Sequence, residues 1–116
     1  MKRLFVESSG FTHAVRAEGI PDEEIHELQD DIMAGRGDII PGTGGVRKIR
    51  WARAGAGKRG GRRALFADYP DLGVTALMGF YAKNMKEDLS PSEIAECRRV
   101  KQALDAEIRK TYGKPE

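Results

Sequence analysis

Val46-Arg47-Lys48-Ile49-Arg50-Trp51-Ala52-Arg53, followed after a glycine-rich interval by Arg62-Arg63-Ala64-Leu65-Phe66-Ala67, carries the pattern that decides the fold. Along an extended chain the side chains point alternately to opposite faces, so Ile49 and Trp51 share one side and Lys48 and Arg50 the other. One face is core and the other cationic. The intervening Ala54-Gly55-Ala56-Gly57-Lys58-Arg59-Gly60-Gly61 reads as a flexible hairpin connection into the second strand. After a turn at Tyr69-Pro70-Asp71-Leu72-Gly73, residues 74–81 form a third, strongly apolar strand, beyond which Tyr81 and Lys83 share a face at period two.

Working outward, Leu4, Phe5 and Val6 make a short strand that ends at Ser8-Ser9-Gly10. Either serine can cap a helix over residues 10–18, with Phe11, Ala14 and Val15 on one side and a stop near Gly19. Pro21-Asp22-Glu23-Glu24 is an acidic helix start; Ile25, Leu28, Ile32 and Met33 follow at helical spacing and Gly35 ends the run. Gly37, Pro41, Gly42, Gly44 and Gly45 then predict a loop of tight turns. At the other end, Ser90-Pro91-Ser92-Glu93 has serine at the N-cap, proline at N1 and glutamate at N3, which is a capping box. Ile94, Cys97, Val100, Leu104 and Ile108 give the last helix an apolar stripe, and Gly113 and Pro115 terminate it. The reading is a single α+β domain over residues 1–116, of order β-α-α-β-β-β-α. Two N-terminal helices and one C-terminal helix pack on one face of a small antiparallel sheet.

Length and charge bound what such a domain does. The chain has 116 residues, 40% of them apolar and 33% charged, enough for one modest core. Its net charge of +2 hides a segregation. Residues 39–67 hold no acidic residue and eight basic ones, Arg47, Lys48, Arg50, Arg53, Lys58, Arg59, Arg62 and Arg63, whereas residues 1–38 carry a net −5 and residues 68–116 a net −1. A single-signed block of this kind is the footprint of a polyanion-binding surface. Glycines that let a backbone approach closely, and Tyr81 as a stacking platform, favour nucleic acid over a merely solvated strand face. One cysteine, Cys97, forms no internal disulfide and reads as a small apolar residue of the last helix. The charged start and the lack of a long apolar run predict a cytoplasmic protein with no membrane partner.

Several motifs fail on context. Gly55-x-Gly57-x-x-Gly60 lies in a strand-to-strand connection, where no helix follows to meet a dinucleotide pyrophosphate. Gly57-Lys58 is no phosphate-binding Walker loop either, since Ala52 replaces its first glycine and Arg59 its hydroxyl residue. His13 and His26 have no second ligand at metal spacing. No cofactor and no metal are expected. No acid pair, thiol dyad or serine triad is visible, so any chemistry falls to the cations.

Phe5-Val6-Glu7-Ser8, Gly37-Asp38-Ile39-Ile40-Pro41-Gly42-Thr43-Gly44-Gly45-Val46-Arg47-Lys48-Ile49-Arg50, Gly57-Lys58-Arg59-Gly60-Gly61-x-Arg63, and Tyr81-Ala82-Lys83-Asn84 through Asp88-Leu89-Ser90 resemble, in this order, the HigB-type branch of the RelE/ParE toxin superfamily. The resemblance implies the toxin of a type II toxin-antitoxin module, which cleaves mRNA on the ribosome, inhibits translation, and is silenced by a cognate antitoxin, usually of helix-turn-helix type. Carried over residue by residue, it implies catalytic roles for Lys48, Arg50, Arg63 and Lys83. Arg47, Lys58, Arg59, Arg62, Tyr81 and Asn84 are the expected contacts to RNA or ribosome. In an attack by the RNA's own 2′-hydroxyl, Arg50 and Arg63 would clamp the phosphate through their planar donor forks. Lys48 or Lys83 would serve as base or acid, since a lysine crowded by like charges releases its proton more readily. Two other activities suit the same frame: inhibition of DNA gyrase, as in ParE-like toxins, and non-enzymatic binding of nucleic acid.

Overall fold

The structure is a computed structural model that describes residues 2–52, 61–82 and 88–113. Strand β1 (Leu4–Glu7) leads into helices α1 (Ser9–Glu18) and α2 (Asp22–Met33). The short β2 (Asp38–Ile39), β3 (Arg47–Trp51), β4 (Arg62–Tyr69) and β5 (Val74–Ala82) follow, and α3 (Pro91–Tyr112) ends the fold. The five strands lie side by side in the order β1-β5-β4-β3-β2.

Local chemistry sets most of the boundaries. Ser8 caps α1, its Oγ accepting from the Phe11 amide at 3.0 Å, and Gly19 closes that helix in the left-handed region. At α3 the capping box forms in full: Ser90 Oγ accepts from the Glu93 amide at 3.2 Å and Glu93 accepts from the Ser90 amide at 2.9 Å. The glycine-rich run after Gly35 is mostly turns, yet Asp38 and Ile39 pair with Lys48 and Arg47 as β2. Buried Thr43 pins this loop, donating to the Ile40 carbonyl at 2.7 Å and accepting from the Val46 amide at 3.0 Å. Gly37 sits at φ +109, and a Cβ there would lie 2.8 Å from the Phe66 ring.

Three features differ from the sequence expectation. The sheet is mixed, because β1 runs parallel to β5 while the remaining pairs are antiparallel. Two helices carry the chain away between β1 and the hairpins, and strand direction after such an excursion is not written in local periodicity. Secondly, the helices cover both faces. Phe11 and Val15 of α1 and Ile25, Leu28 and Ile32 of α2 pack with Ile49, Trp51, Ala64, Phe66 and Leu77, whereas Leu104 and Ile108 of α3 pack on the other side with Val6, Ala67, Tyr69, Val74 and Ala76. Thirdly, two side chains placed on apolar stripes face solvent: Met33 and Val100 are exposed, and on α3 the inward position falls to Lys101. Its ammonium bonds Asp105 at 2.5 Å and lies 5.1 Å from the centroid of the Tyr69 ring. An amphiphilic stem explains this, since lysine buries its methylenes while its head finds a carboxylate.

A β-bulge decides which aromatic residue reaches which face. Leu65 pairs with Gly79 but Phe66 pairs with Leu77, so Met78 is the extra residue of β5 and the alternation changes phase there. Phe80 consequently joins the α1/α2 side, edge-on to Phe11 and Trp51 with centroids 5.7 and 5.3 Å away, and Tyr81 turns to the α3 side.

Candidate nucleic-acid interface

Cross-strand register lays out the basic residues in two rows. One row reads Lys48, Leu65, Gly79 across β3, β4 and β5; the next reads Arg50, Arg63, Tyr81. Neighbours in a row are about 4.8 Å apart along the hydrogen-bonding direction and the rows are roughly 7 Å apart along the strands. All of these residues lie on the α3 side of the sheet, beyond the part that the C-terminal half of α3 covers. Gly79 has no side chain and a Cβ there would meet nothing within 4 Å, so the β5 end of the first row stays low beside Tyr81.

Electrostatics set this patch apart from an ordinary strand face. Arg50 is exposed and Arg63 half-buried, directly opposite each other, and no carboxylate among the described residues pairs with either. Like charges facing across a ladder are destabilising, and the arrangement persists because the sheet on which it is built is held elsewhere. Lys48, by contrast, ends 3.0 Å from Asp88 Oδ1. A hollow of about 480 Å³ opens beside these side chains, lined by Lys48, Arg50, Arg63 and Arg36 together with Asp31 and Asp38. Asp31 is itself bonded to Arg36 at 3.1 Å and Lys48 to Asp88, which leaves Arg50 and Arg63 against Asp38 in this lining.

The remaining expected contacts divide. Tyr81 stands next to Arg63 in the same row. Arg62 is corrected: it is 4% exposed on the α1/α2 side, bonded at 2.6 Å to Glu24 with its guanidinium 4.1 Å above the Trp51 ring, and presents nothing to a docking partner. Alternation forces this once its neighbour Arg63 faces the other way. Arg47 is likewise corrected in part, sharing the Ile49 side and donating to the Gly37 carbonyl at 3.3 Å, away from the Lys48 face. Lys58, Arg59, Lys83 and Asn84 lie outside the described residues.

Sequence reasoning assigned no role to Asp88, whose ion pair with Lys48 spans 40 positions of chain. No periodicity links residues so far apart, and only the path of the chain back toward α3 brings the carboxylate to the cation. Among the described residues no group of three or more His, Cys, Asp or Glu is arranged to hold a metal ion, and no helix is long and apolar enough to cross a membrane.

The family comparison covers nearly the whole chain. A family model described as the RelE toxin of the RelE/RelB toxin-antitoxin system matches residues 2–111, a span that runs from β1 through the basic sheet face into the last turn of α3. Toxins of that family pair with a cognate antitoxin. With strand order, capping and cationic face accounted for within a single matched span, this chain belongs to the RelE family of toxins from toxin-antitoxin systems.

Proposed function

We propose that the chain is an mRNA endonuclease that acts on the ribosome, inhibits translation in the manner of HigB-type toxins, and does its chemistry on the sheet face bearing Lys48, Arg50 and Arg63. The observation that carries this reading is the directly opposed Arg50–Arg63 pair, which no carboxylate of the described residues neutralises, with Tyr81 beside it. Two planar forks carried by facing residues that line one hollow suit a phosphate, and an aromatic ring in the same row suits a base in single-stranded RNA.

The reaction balances with groups from the chain. The 2′-hydroxyl oxygen attacks the adjacent phosphorus, its proton passes to a base, the bond to the 5′-oxygen breaks, and that oxygen takes up a proton. Products are a 2′,3′-cyclic phosphate and a free 5′-hydroxyl. Arg50 and Arg63 stabilise the extra negative charge of the phosphorane, a contribution of about 2.7–4 kcal/mol for one well-placed donor. Lys48, in the row next to the two arginines, is the group assigned to donate toward the leaving oxygen. Proton abstraction is left to Lys83. Lys58 and Arg59 hold ribosomal RNA phosphates, and the ribosome supplies the orientation that a site of cations lacks.

Induced expression followed by mapping of transcript ends tests the reading. The wild type yields new, translation-dependent 5′ ends within messages, and Arg63→Ala suppresses them at least ~100-fold with the antitoxin complex and melting temperature retained. Undiminished cleavage by that variant removes Arg63 from the reaction. A non-enzymatic binder instead loses affinity by a modest increment and yields no cuts in either form, and a gyrase inhibitor arrests DNA supercoiling.

A further inference from the structure

A second, smaller hollow adjoins the basic face, about 200 Å³ in volume, between the loop after β2 and the start of α3. Ile40, Pro41, Leu89 and Ile94 give it apolar walls, and Lys48 and Asp88 are its charged lining. Its two sides are close: a Cβ on Gly42 would lie 3.3 Å from the Ile94 side chain. Lys48 lines both this hollow and the larger one that contains Arg50 and Arg63. A group held by the arginines therefore has the small hollow next door.

We propose that this hollow is a nucleobase pocket that selects guanine in the nucleotide whose phosphate meets Lys48. The inference rests on the reading of the basic face as an RNA site. Size is the first argument. Drug-sized ligands occupy pockets of roughly 300–1,000 Å³, and this one is smaller, on the scale of one planar ring system between aliphatic walls. Polarity is the second. Asp88 is an acceptor-only carboxylate; its Oδ1 takes Lys48 at 3.0 Å, and Oδ2 has no partner among the described residues. Guanine presents an N1–H and an N2–H side by side on its Watson–Crick edge, the pair of donors a carboxylate matches, and single-stranded RNA is read on that edge. Adenine and cytosine offer one amino group there, and uracil flanks its single N–H with two carbonyl oxygens that a carboxylate repels. Location is the third. Asp88 is 79% exposed, so its bond to Lys48 contributes little to folding and the carboxylate is available to a ligand.

Two experiments test this, one of them independent of cleavage. Methyl-labelled wild-type protein is titrated with guanosine 3′-monophosphate, uridine 3′-monophosphate or inorganic phosphate, and the Leu89 and Ile94 methyl resonances are followed. Guanosine monophosphate shifts them saturably and binds at least ~5-fold more tightly than the uridine nucleotide, a margin expected of a bidentate base contact; Asp88→Ala abolishes the preference. Equal response to both nucleotides, a response to phosphate alone, or no response at those methyls overturns the proposal. In the second experiment, cleavage sites of wild type, Asp88→Asn and Leu89→Ala are mapped across a transcriptome. Guanine enrichment at one fixed position beside the cut is lost in both variants while cutting continues; an unaltered base distribution refutes the pocket. A wild-type protein that binds the guanine nucleotide yet cuts nothing defeats the endonuclease reading and spares this one.

Discussion

Arg62 and Arg63 are consecutive residues with opposite fates. Arg62 points toward α1 and α2, where Glu24 takes its charge at 2.6 Å and the Trp51 ring covers its plane. Glu24 does double duty there, since its backbone carbonyl also accepts the Trp51 indole N–H at 2.8 Å. Arg63 turns to the other side, facing Arg50 with no carboxylate of the described residues to neutralise it. The contrast teaches that a basic block in a sequence is not one object. Half of a strand's charge serves as a clamp between layers, and the other half is presented on the open face with no carboxylate of the described residues against it.

Breaking the buried member has the largest expected effect. Arg62→Ala strands the Glu24 carboxylate in the interior and costs about 3–5 kcal/mol, a fall in Tm of roughly 10–20 °C by calorimetry. The double replacement Arg62→Met with Glu24→Leu recovers most of that loss if the pair is a clamp and nothing more. Next comes the exposed member. Arg63→Ala leaves stability within about 0.5 kcal/mol of wild type, or raises it by relieving the opposed charges, while cleavage falls at least ~100-fold. Should the two variants exchange phenotypes, the assignment of faces is wrong.

Smaller effects sharpen the picture of how α3 is held beside the basic face. Ser90→Ala removes a cap from its first turn and costs about 1 kcal/mol in chemical denaturation. Farther along, burial works to raise the Asp105 carboxyl, but hydrogen bonds from Lys101 and Tyr69 outweigh it and hold the group below its usual range. The same contact, with burial first, pushes the Tyr69 phenol well above its ordinary value. A depressed carboxyl contributes stability that is complete above its unfolded pKa of about 3.9 and is lost as pH falls through the folded value. Asp105→Asn therefore flattens the decline of stability below about pH 4, a modest change visible in denaturation midpoints measured across that range.

How far the residues alone could be read varies along the chain. The Ser90 box, the Ser8 cap and the alternation of Ile49 and Trp51 with Lys48 and Arg50 are local signals, fixed by bonds and spacings within a few residues, and the structure bears each of them out. Alternation also says that Arg62 and Arg63 point apart. It does not say which is inward, because that depends on Glu24, 38 positions away. Tyr81 reaches the Arg63 side only through the bulge at Met78, and period-two counting from Val74 puts Phe80 there instead. Val100 faces solvent for a related reason: Lys101 gains a carboxylate and a ring that no hydropathy pattern records.

By itself, then, the sequence determined the kinds of element, their order apart from the short β2, and the presence of a cationic strand pair with an apolar back. Those properties follow from backbone sterics, capping and side-chain alternation, which act over a few residues. Tertiary structure alone decided that β1 runs parallel to β5, that α3 lies opposite α1 and α2, that one arginine is buried and its neighbour is not, and that Asp88 meets Lys48. The burial choices depend on which distant groups share a low-dielectric space, and that is settled when the layers close and every buried charge must find its partner. The exposed Asp88–Lys48 pair follows instead from where α3 begins beside the sheet.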